Sequence, residues 1–242
     1  MKNIAIRIVQ PLGFFAVSLL PLLPFSVCAM TEDDPVLTKF MIDQLEIRNA
    51  DESNPFVLEG QAWIGRDLNK LWLKTDVEQV DGETEELELQ ALYSRALAPF
   101  WNIQGGVRHD FKTEPSRSWA VVGVQGLAPY KFEVDVAAFI DEDGKAALRT
   151  SAEYEIMFTQ RIVLTPEIEA NFYAEDSPEY GEGSGLANIQ AGLRLRYHIR
   201  REFAPYVGIN WQKQFGSTAT FSKDAGEDID QTQWVLGVRA WF

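Results

Sequence analysis

The chain ends in Gln233-Trp234-Val235-Leu236-Gly237-Val238-Arg239-Ala240-Trp241-Phe242, and the alternation in this stretch decides the fold. Trp234, Leu236, Val238, Ala240 and Phe242 share one face at period two, while Gln233, Gly237 and Arg239 share the other. One face suits lipid and the other a wet lumen, the pattern of a transmembrane barrel strand. A terminal Phe after alternating apolar residues also suits the signal by which outer-membrane barrels are assembled.

The same period recurs upstream. Leu87, Leu89, Ala91 and Tyr93 alternate with Glu86, Glu88, Gln90 and Ser94, and Tyr130, Phe132, Val134, Val136 and Ala138 alternate with Lys131, Glu133 and Asp135. Leu193, Leu195, Tyr197 and Ile199 alternate with Arg194, Arg196, His198 and Arg200, which sends three cations and a histidine inward. A soluble sandwich does not usually bury such a row. Twelve strands are predicted, near 38–48, 56–65, 69–79, 84–96, 100–112, 117–127, 130–141, 145–157, 161–174, 186–200, 202–216 and 230–242. Helical periodicity is nowhere sustained.

The connections fit a barrel with both termini on the periplasmic side, short inside and longer outside. The short set is Leu97-Ala98-Pro99, Leu127-Ala128-Pro129, Phe158-Thr159-Gln160 and the corner at Arg200-Arg201. The longer set is acidic: Asp51, Glu52, Asp81, Glu83, Glu114, Glu142, Asp143, Glu175, Asp176, Glu179, Glu182, Asp224, Glu227 and Asp228 are expected to ring the outer mouth. A rim of one sign either concentrates counter-ions or simply stays solvated and repulsive. Trp72, Trp101, Trp119, Trp211, Trp234, Trp241, Tyr130, Tyr206 and Phe242 lie mostly near strand ends, as interfacial girdles require. Pro166 and Pro205 each remove a ladder donor from a predicted strand, which a bulge would have to absorb.

At the other end, Lys2 and Arg7 precede the apolar run Leu12 to Leu23 and the small-residue pattern Ser26-Val27-Cys28-Ala29, which reads as a secretory signal cleaved before Met30. The predicted organisation is 1–29 signal peptide, 30–55 a short periplasmic N-terminal arm with the first strand, and 56–242 the remainder of a single barrel domain. Cleavage removes Cys28, so disulfides and thiolate metal sites drop out. It leaves twenty basic residues against thirty-six acidic ones, a balance that disfavours nucleic acid and favours cations or neutral surfaces. No later stretch holds the roughly eighteen consecutive apolar residues of a helical span, so a membrane protein here has to be a barrel. The expected fold class is therefore all-β: a monomeric transmembrane antiparallel β-barrel of the bacterial outer-membrane type.

Several longer motifs add a resemblance. Trp63-Ile64-Gly65-Arg66-Asp67-Leu68-Asn69-Lys70-Leu71-Trp72-Leu73-Lys74-Thr75 is followed by Glu88-Leu89-Gln90-Ala91-Leu92-Tyr93-Ser94-Arg95-Ala96. Then come Ala98-Pro99-Phe100-Trp101, Gly105-Gly106-Val107-Arg108-His109-Asp110, Gly123-Val124-Gln125-Gly126-Leu127-Ala128-Pro129-Tyr130, Arg194-Leu195-Arg196-Tyr197 and Arg201-Glu202-Phe203-Ala204-Pro205-Tyr206-Val207-Gly208. In this order, from about Leu58 to Phe242, they resemble the copper resistance protein B family of outer-membrane proteins. The resemblance implies a barrel in the outer membrane that works with periplasmic copper-resistance proteins, with copper ions and lipid as its other partners. The chain departs from the family pattern in one respect: many members carry a Met- and His-rich segment before the barrel, whereas Met30 to Pro55 holds two Met and no His.

Candidate copper ligands are therefore few. His109 and Asp110 offer imidazole and carboxylate for Cu(II), although strand parity sends them to opposite faces. His198 has inward parity but stands between Arg196 and Arg200, and belongs more naturally to a lumen charge network with Arg149, Glu153, Glu155, Glu167, Glu169, Arg194, Arg196 and Arg239. Met41 and Met157 offer thioethers for Cu(I), but isolated methionines are usually packing residues. Glu86, Glu88, Glu133 and Asp135 suit a cation path.

Catalysis is not expected, because neighbours on one strand cannot form a dyad and the chain holds no Gly-x-Ser-x-Gly elbow. The competing reading is a passive or structural porin-like barrel without its own metal site. Long inward Arg and Glu side chains speak against it, since they would fill much of a narrow interior.

Overall fold

A computed structural model of the chain describes residues 34–49, 54–80, 82–111 and 116–242. The signal peptide and residues 30–33 of the arm lie outside them, as do Asp51, Glu52, Asp81 and Glu114 of the rim. Asp34–Phe242 forms one compact unit. Its strands are β1 (Leu37–Asn49), β2 (Phe56–Gly65), β3 (Asn69–Val80), β4 (Glu83–Ala98), β5 (Trp101–Asp110), β6 (Arg117–Ala128), β7 (Phe132–Asp141), β8 (Ala146–Glu153), β9 (Ile156–Met157), β10 (Ile162–Tyr173), β11 (Gly185–Tyr197), β12 (Phe203–Gln214) and β13 (Asp230–Trp241).

Each strand pairs antiparallel with its chain neighbour, and β13 returns to β1, so the sheet closes on itself. β8 and β9 occupy one position in the ring. Glu153 opposite Glu167 and Met157 opposite Val163 keep one register against β10, with only Tyr154 and Glu155 between the pieces. The result is a closed barrel of twelve strand positions.

Pro166 explains the interruption. The Tyr154 N–H donates to Pro166 O at 3.0 Å, and a proline has no N–H to return. One side of the ladder is therefore lost opposite Tyr154, where β8 breaks off. Pro205 is placed without cost. Trp241 N–H donates to Glu202 O, so even-numbered residues of β12 bond β13 and Pro205 faces β11, whose pairing ends at Arg196 opposite Tyr206.

The turns divide largely as expected, except that only Asp81 and Gly82 separate β3 from β4 in the set expected to be longer. Those at one end are short, and two of them repeat Leu-Ala-Pro-aromatic, with Phe100 and Tyr130 at φ 68° and 67°. Proline fixes the preceding corner and the aromatic residue takes the left-handed position that glycine normally fills. The opposite end carries the longer connections, including an α-helix, α1 (Gly216–Ala225), that period-two reading of the sequence does not anticipate. It ends at Gly226, whose φ of 86° suits a glycine cap.

Alternation sorts the faces. Leu71, Tyr93, Val107, Val122, Leu193, Val207, Trp234 and Leu236 point outward, to where lipid lies. Trp119 and Tyr206, expected in the girdle, are instead buried, as part of the interior. Leu92, Trp119, Val121 and Phe139 form an apolar cluster that fills one side of the lumen, with Trp72 packed against it. These aromatics follow strand parity, and a position near a strand end does not override it.

An arginine at Leu236, near mid-strand on the lipid face, is expected to cost about 2–4 kcal/mol of unfolding free energy in a bilayer. Urea titration in lipid vesicles, with Leu236→Ala as the control for lost packing, checks it; equal stability of the two variants would mean that this face does not meet hydrocarbon.

Candidate functional site

The interior begins with a break in β1. Register against β2 shifts between Ile42 and Gln44, and against β13 between Ile42 and Leu45. This bulge puts two successive residues, Asp43 and Gln44, on the lumen side. Before it, Lys39 and Met41 face inward; after it, Gln44, Glu46 and Arg48 do. Without the extra residue Glu46 would face lipid.

Glu46 is 1 % exposed, so its charge needs partners. Arg194 of β11 supplies a fork, Nε at 3.0 Å and Nη2 at 3.1 Å from the two carboxylate oxygens. Arg48 donates at 2.8 Å and the Tyr206 hydroxyl at 2.9 Å. Gly237 makes room for this: a Cβ there would stand 2.6 Å from the Tyr206 hydroxyl and 2.8 Å from Glu46 Cβ. Arg194 also reaches Glu167 at 2.7 Å and Gln44 at 2.6 Å.

A second cluster centres on Glu88 of β4, which receives Arg108 at 2.8 Å and Arg149 at 3.0 Å, and a hydrogen bond from Gln90. Arg108 also pairs with Asp110 at 2.7 Å, and Trp119 donates to that carboxylate at 2.8 Å. Lower in the barrel, Lys74 of β3 meets Asp135 of β7 at 2.9 Å. Arg196 and Arg239 share Glu153 and Glu155. Arg149–Glu88 and Lys74–Asp135 each join strands four positions apart in a ring of twelve, so these pairs run across the lumen.

Among the described residues the pairs leave open cavities that include one of about 150 Å³ and one of about 480 Å³. The larger is lined by Asp43, Glu59, Asp76, Glu133, Asp135, Glu153, Glu167 and Glu169 against Lys39, Lys74, Arg149, Arg196 and Arg239, an excess of acid. The smaller is lined by six carboxylates, among them Glu78 and Glu86, against Arg48, Arg149 and Arg194. Both interiors therefore favour cations.

At the outer end Arg117 joins Asp141 at 2.6 Å to Glu182 at 2.7 Å and lies over the rings of Trp119 and Tyr180. Lys145 holds Glu179 at 2.9 Å, and that hydrogen bond pushes its ammonium pKa up. The Ser184 N–H holds the Asp176 carboxyl below its usual range. Part of the acidic rim is thus already partnered, and the connection between β10 and β11 is tied to β6 and to the β7–β8 turn.

The residues singled out as copper ligands do not converge. His109 faces outward beside Val107, its Nδ1 2.9 Å from Ser118 Oγ and its ring edge-on to Phe111. Asp110 faces inward and serves Arg108 and Trp119. Met157 shares the inward parity of Glu153 and of buried Val163 opposite it but is 68 % exposed at the short-turn end of the barrel, while Met41 is 7 % exposed and lines the larger cavity. His198 follows the end of β11; its N–H donates to Arg161 O at 2.7 Å, and its Nε2 is buried beside the Arg196 cluster without a hydrogen-bond partner among the described residues. Arg200 lies in the turn beyond, exposed, and not in the inward row. Among the described residues no three His, Cys, Asp or Glu side chains are grouped to hold a metal ion.

The expected network of Arg149, Glu153, Glu155, Glu167, Glu169, Arg194, Arg196 and Arg239 is present. Sequence reading missed Glu46, because the bulge hides its phase, and missed the pairing of Glu88 with Arg108 on the adjacent β5 and with Arg149 on a strand distant in the chain.

Comparison with known proteins adds the following. Residues 36–242 match the family model described as "Copper resistance protein B precursor (CopB)". A Copper resistance protein B of Escherichia coli is 45% identical over 202 residues, covering 84% of this chain and 68% of its own length. A Copper resistance protein B homolog of Pseudomonas syringae pv. tomato is 39% identical over 210 residues, covering 87% and 71%. Among solved structures, the NanC porin is similar with a TM-score of 0.56 at 12% identity, over 84% of this chain and 99% of its own. The KdgM porin gives 0.53 at 14%, over 85% and 99%. At such identities the two porins speak for the fold alone.

Arg194→Met leaves Glu46 buried with less than its full complement of partners and is expected to cost about 3–5 kcal/mol. Adding Glu46→Gln is expected to recover part of that loss. Denaturant midpoints for the two single variants and the double variant measure the coupling; simple additivity would mean that the pair does not interact.

Proposed function

The chain belongs to the copper resistance protein B family, and on that premise we propose that its outer-membrane barrel serves copper resistance by passing Cu(II) through an acidic lumen. No fixed copper centre is needed for this role. The observation that carries the reading is the pair of acid-lined cavities, combined with the scatter of the imidazole and thioether groups.

Passage requires that a cation bind well enough to enter and weakly enough to leave. Carboxylates spread along a lumen do this, because each supplies one or two hard oxygens and none by itself completes a coordination shell. Cu(I) prefers sulfur, and among the described residues Met41 is the methionine that lines a cavity, a single thioether against many carboxylates, so the interior suits the divalent ion better. The acidic outer rim raises the local cation concentration before entry.

The role is non-catalytic in this reading, the barrel acts as a monomer, and periplasmic copper-resistance proteins exchange the ion at the inner end. A barrel that merely leaks solutes is the weaker alternative, because ion pairs cross the lumen at Arg149–Glu88 and Lys74–Asp135.

The test uses the full-length mature barrel refolded into liposomes that enclose a copper indicator. Cu(II) is expected to cross, uncharged sugars are not, and His109→Ala is expected to leave the flux unchanged because that ring lies on the outer face. Tight one-to-one binding abolished by His109→Ala or His198→Ala would replace the conduit with a defined site. Free leakage of sugars would favour the porin-like alternative.

A further inference from the structure

Five residues line both cavities: Glu59, Asp76, Arg149, Glu167 and Glu169. Groups common to two adjoining cavities mark the neck between them. Glu59 on β2 and Asp76 on β3 stand directly opposite each other in cross-strand register. In the ring of twelve, β8 is six positions from β2 and β10 is six from β3, so Arg149 and the Glu167/Glu169 pair project from the far wall.

Arg149 crosses the neck. Its Nη1 and Nη2 donate to the two oxygens of Glu88 at 3.2 and 3.0 Å, its Nε donates to Asn171 at 3.2 Å, and Glu169 lies 3.7 Å away. Among the described residues it is the one cation common to the two linings. Glu167 is taken up by Arg194 at 2.7 Å, whereas Glu59 and Asp76 make no ion pair or side-chain hydrogen bond among the described residues. Two carboxylates directly opposite on neighbouring strands repel when both are ionised, and a cation between them relieves that repulsion and favours the ionised form.

We infer that this neck is the cation-selecting constriction of the lumen, in which Glu59 and Asp76 set the sign of the permeant ion and Arg149 sets the bore. The permeant class is the small hydrated inorganic cation, monovalent or divalent, with anions and sugars excluded. The inference rests on the lumen being a route across the membrane, as proposed above, but copper does not enter its test.

Planar-bilayer recording of the full barrel in a KCl gradient reads both properties, as reversal potential and as single-channel conductance. The unsubstituted barrel is expected to conduct weakly with a cation-preferring reversal potential. Glu59→Gln with Asp76→Asn should lower the K⁺/Cl⁻ preference several-fold at similar conductance. Arg149→Gln should raise conductance several-fold and sharpen cation preference, because it frees Glu169 and widens the neck; Arg149→Lys should fall between. Glu88 keeps Arg108 at 2.8 Å, so Arg149→Gln does not strip it of every cation, and heat-modifiable migration verifies folding.

A reversal potential at zero or on the anion side in the unsubstituted barrel overturns the inference. So does a preference unmoved in the double variant, or an Arg149→Gln barrel that conducts no better. A barrel that selects K⁺ at this neck but passes no Cu(II) would reject the proposed function and keep the constriction. Copper flux with an ion preference insensitive to Glu59 and Asp76 would do the reverse.

Discussion

Phe40 and Phe242 exchange backbone hydrogen bonds of 3.0 and 2.8 Å across the seam between β1 and β13, and the rest of the structure depends on that closure. Hydrocarbon offers no partner for a free N–H or C=O, so a sheet can cross a bilayer only when it has no edge. Closing it fixes the inside and the outside of every strand at once. Lipid then meets one set of alternate residues, and the other set is confined in a space too narrow to stay fully hydrated.

Confinement turns charge into architecture. Arg194, Arg196, Glu46 and Glu88 are each 2 % exposed or less, and a buried ion of that kind is tolerated only with opposite charge and hydrogen bonds around it. Each is met by such a group: Glu46 by two guanidinium groups and a tyrosine hydroxyl, and Glu88 by two guanidinium groups and an amide. Because Arg149 and Arg194 come from strands several positions away, pairing also narrows the bore. The apolar cluster of Leu92, Trp119, Val121 and Phe139 fills a further share of the interior. The space that remains is small and carries an excess of carboxylate, a combination fit for small cations and unfit for bulky or anionic solutes.

Family membership and interior chemistry therefore meet at one point. The proposed passage of copper requires a toxic cation to be handled without being trapped, and scattered oxygens suit such loose binding. Had His109, His198, Met41 and Met157 converged, a storage or capture site would have been the natural reading. Position separates them instead: His109 lies on the lipid side, Met41 inside the lumen, Met157 exposed at the short-turn end of β9, and His198 past a strand end.

The sequence by itself determined the twelve strand positions within a residue or two over most of the chain, most of the short and long turns, and the faces of the alternating runs at Glu86 to Ser94, Phe132 to Val136 and Leu193 to Tyr197. It could do so because a pleated strand alternates strictly, and lipid on one side makes the alternation visible residue by residue. Only the tertiary structure decided which charges meet. A bulge at Asp43 reverses the phase of β1 without changing its composition, Arg149 finds Glu88 sixty-one residues away, and Trp119 and Tyr206 turn inward to serve Asp110 and Glu46. Period two specifies a face, but the neighbour across a lumen depends on how the ring closes, and closure is a property of all the strands together.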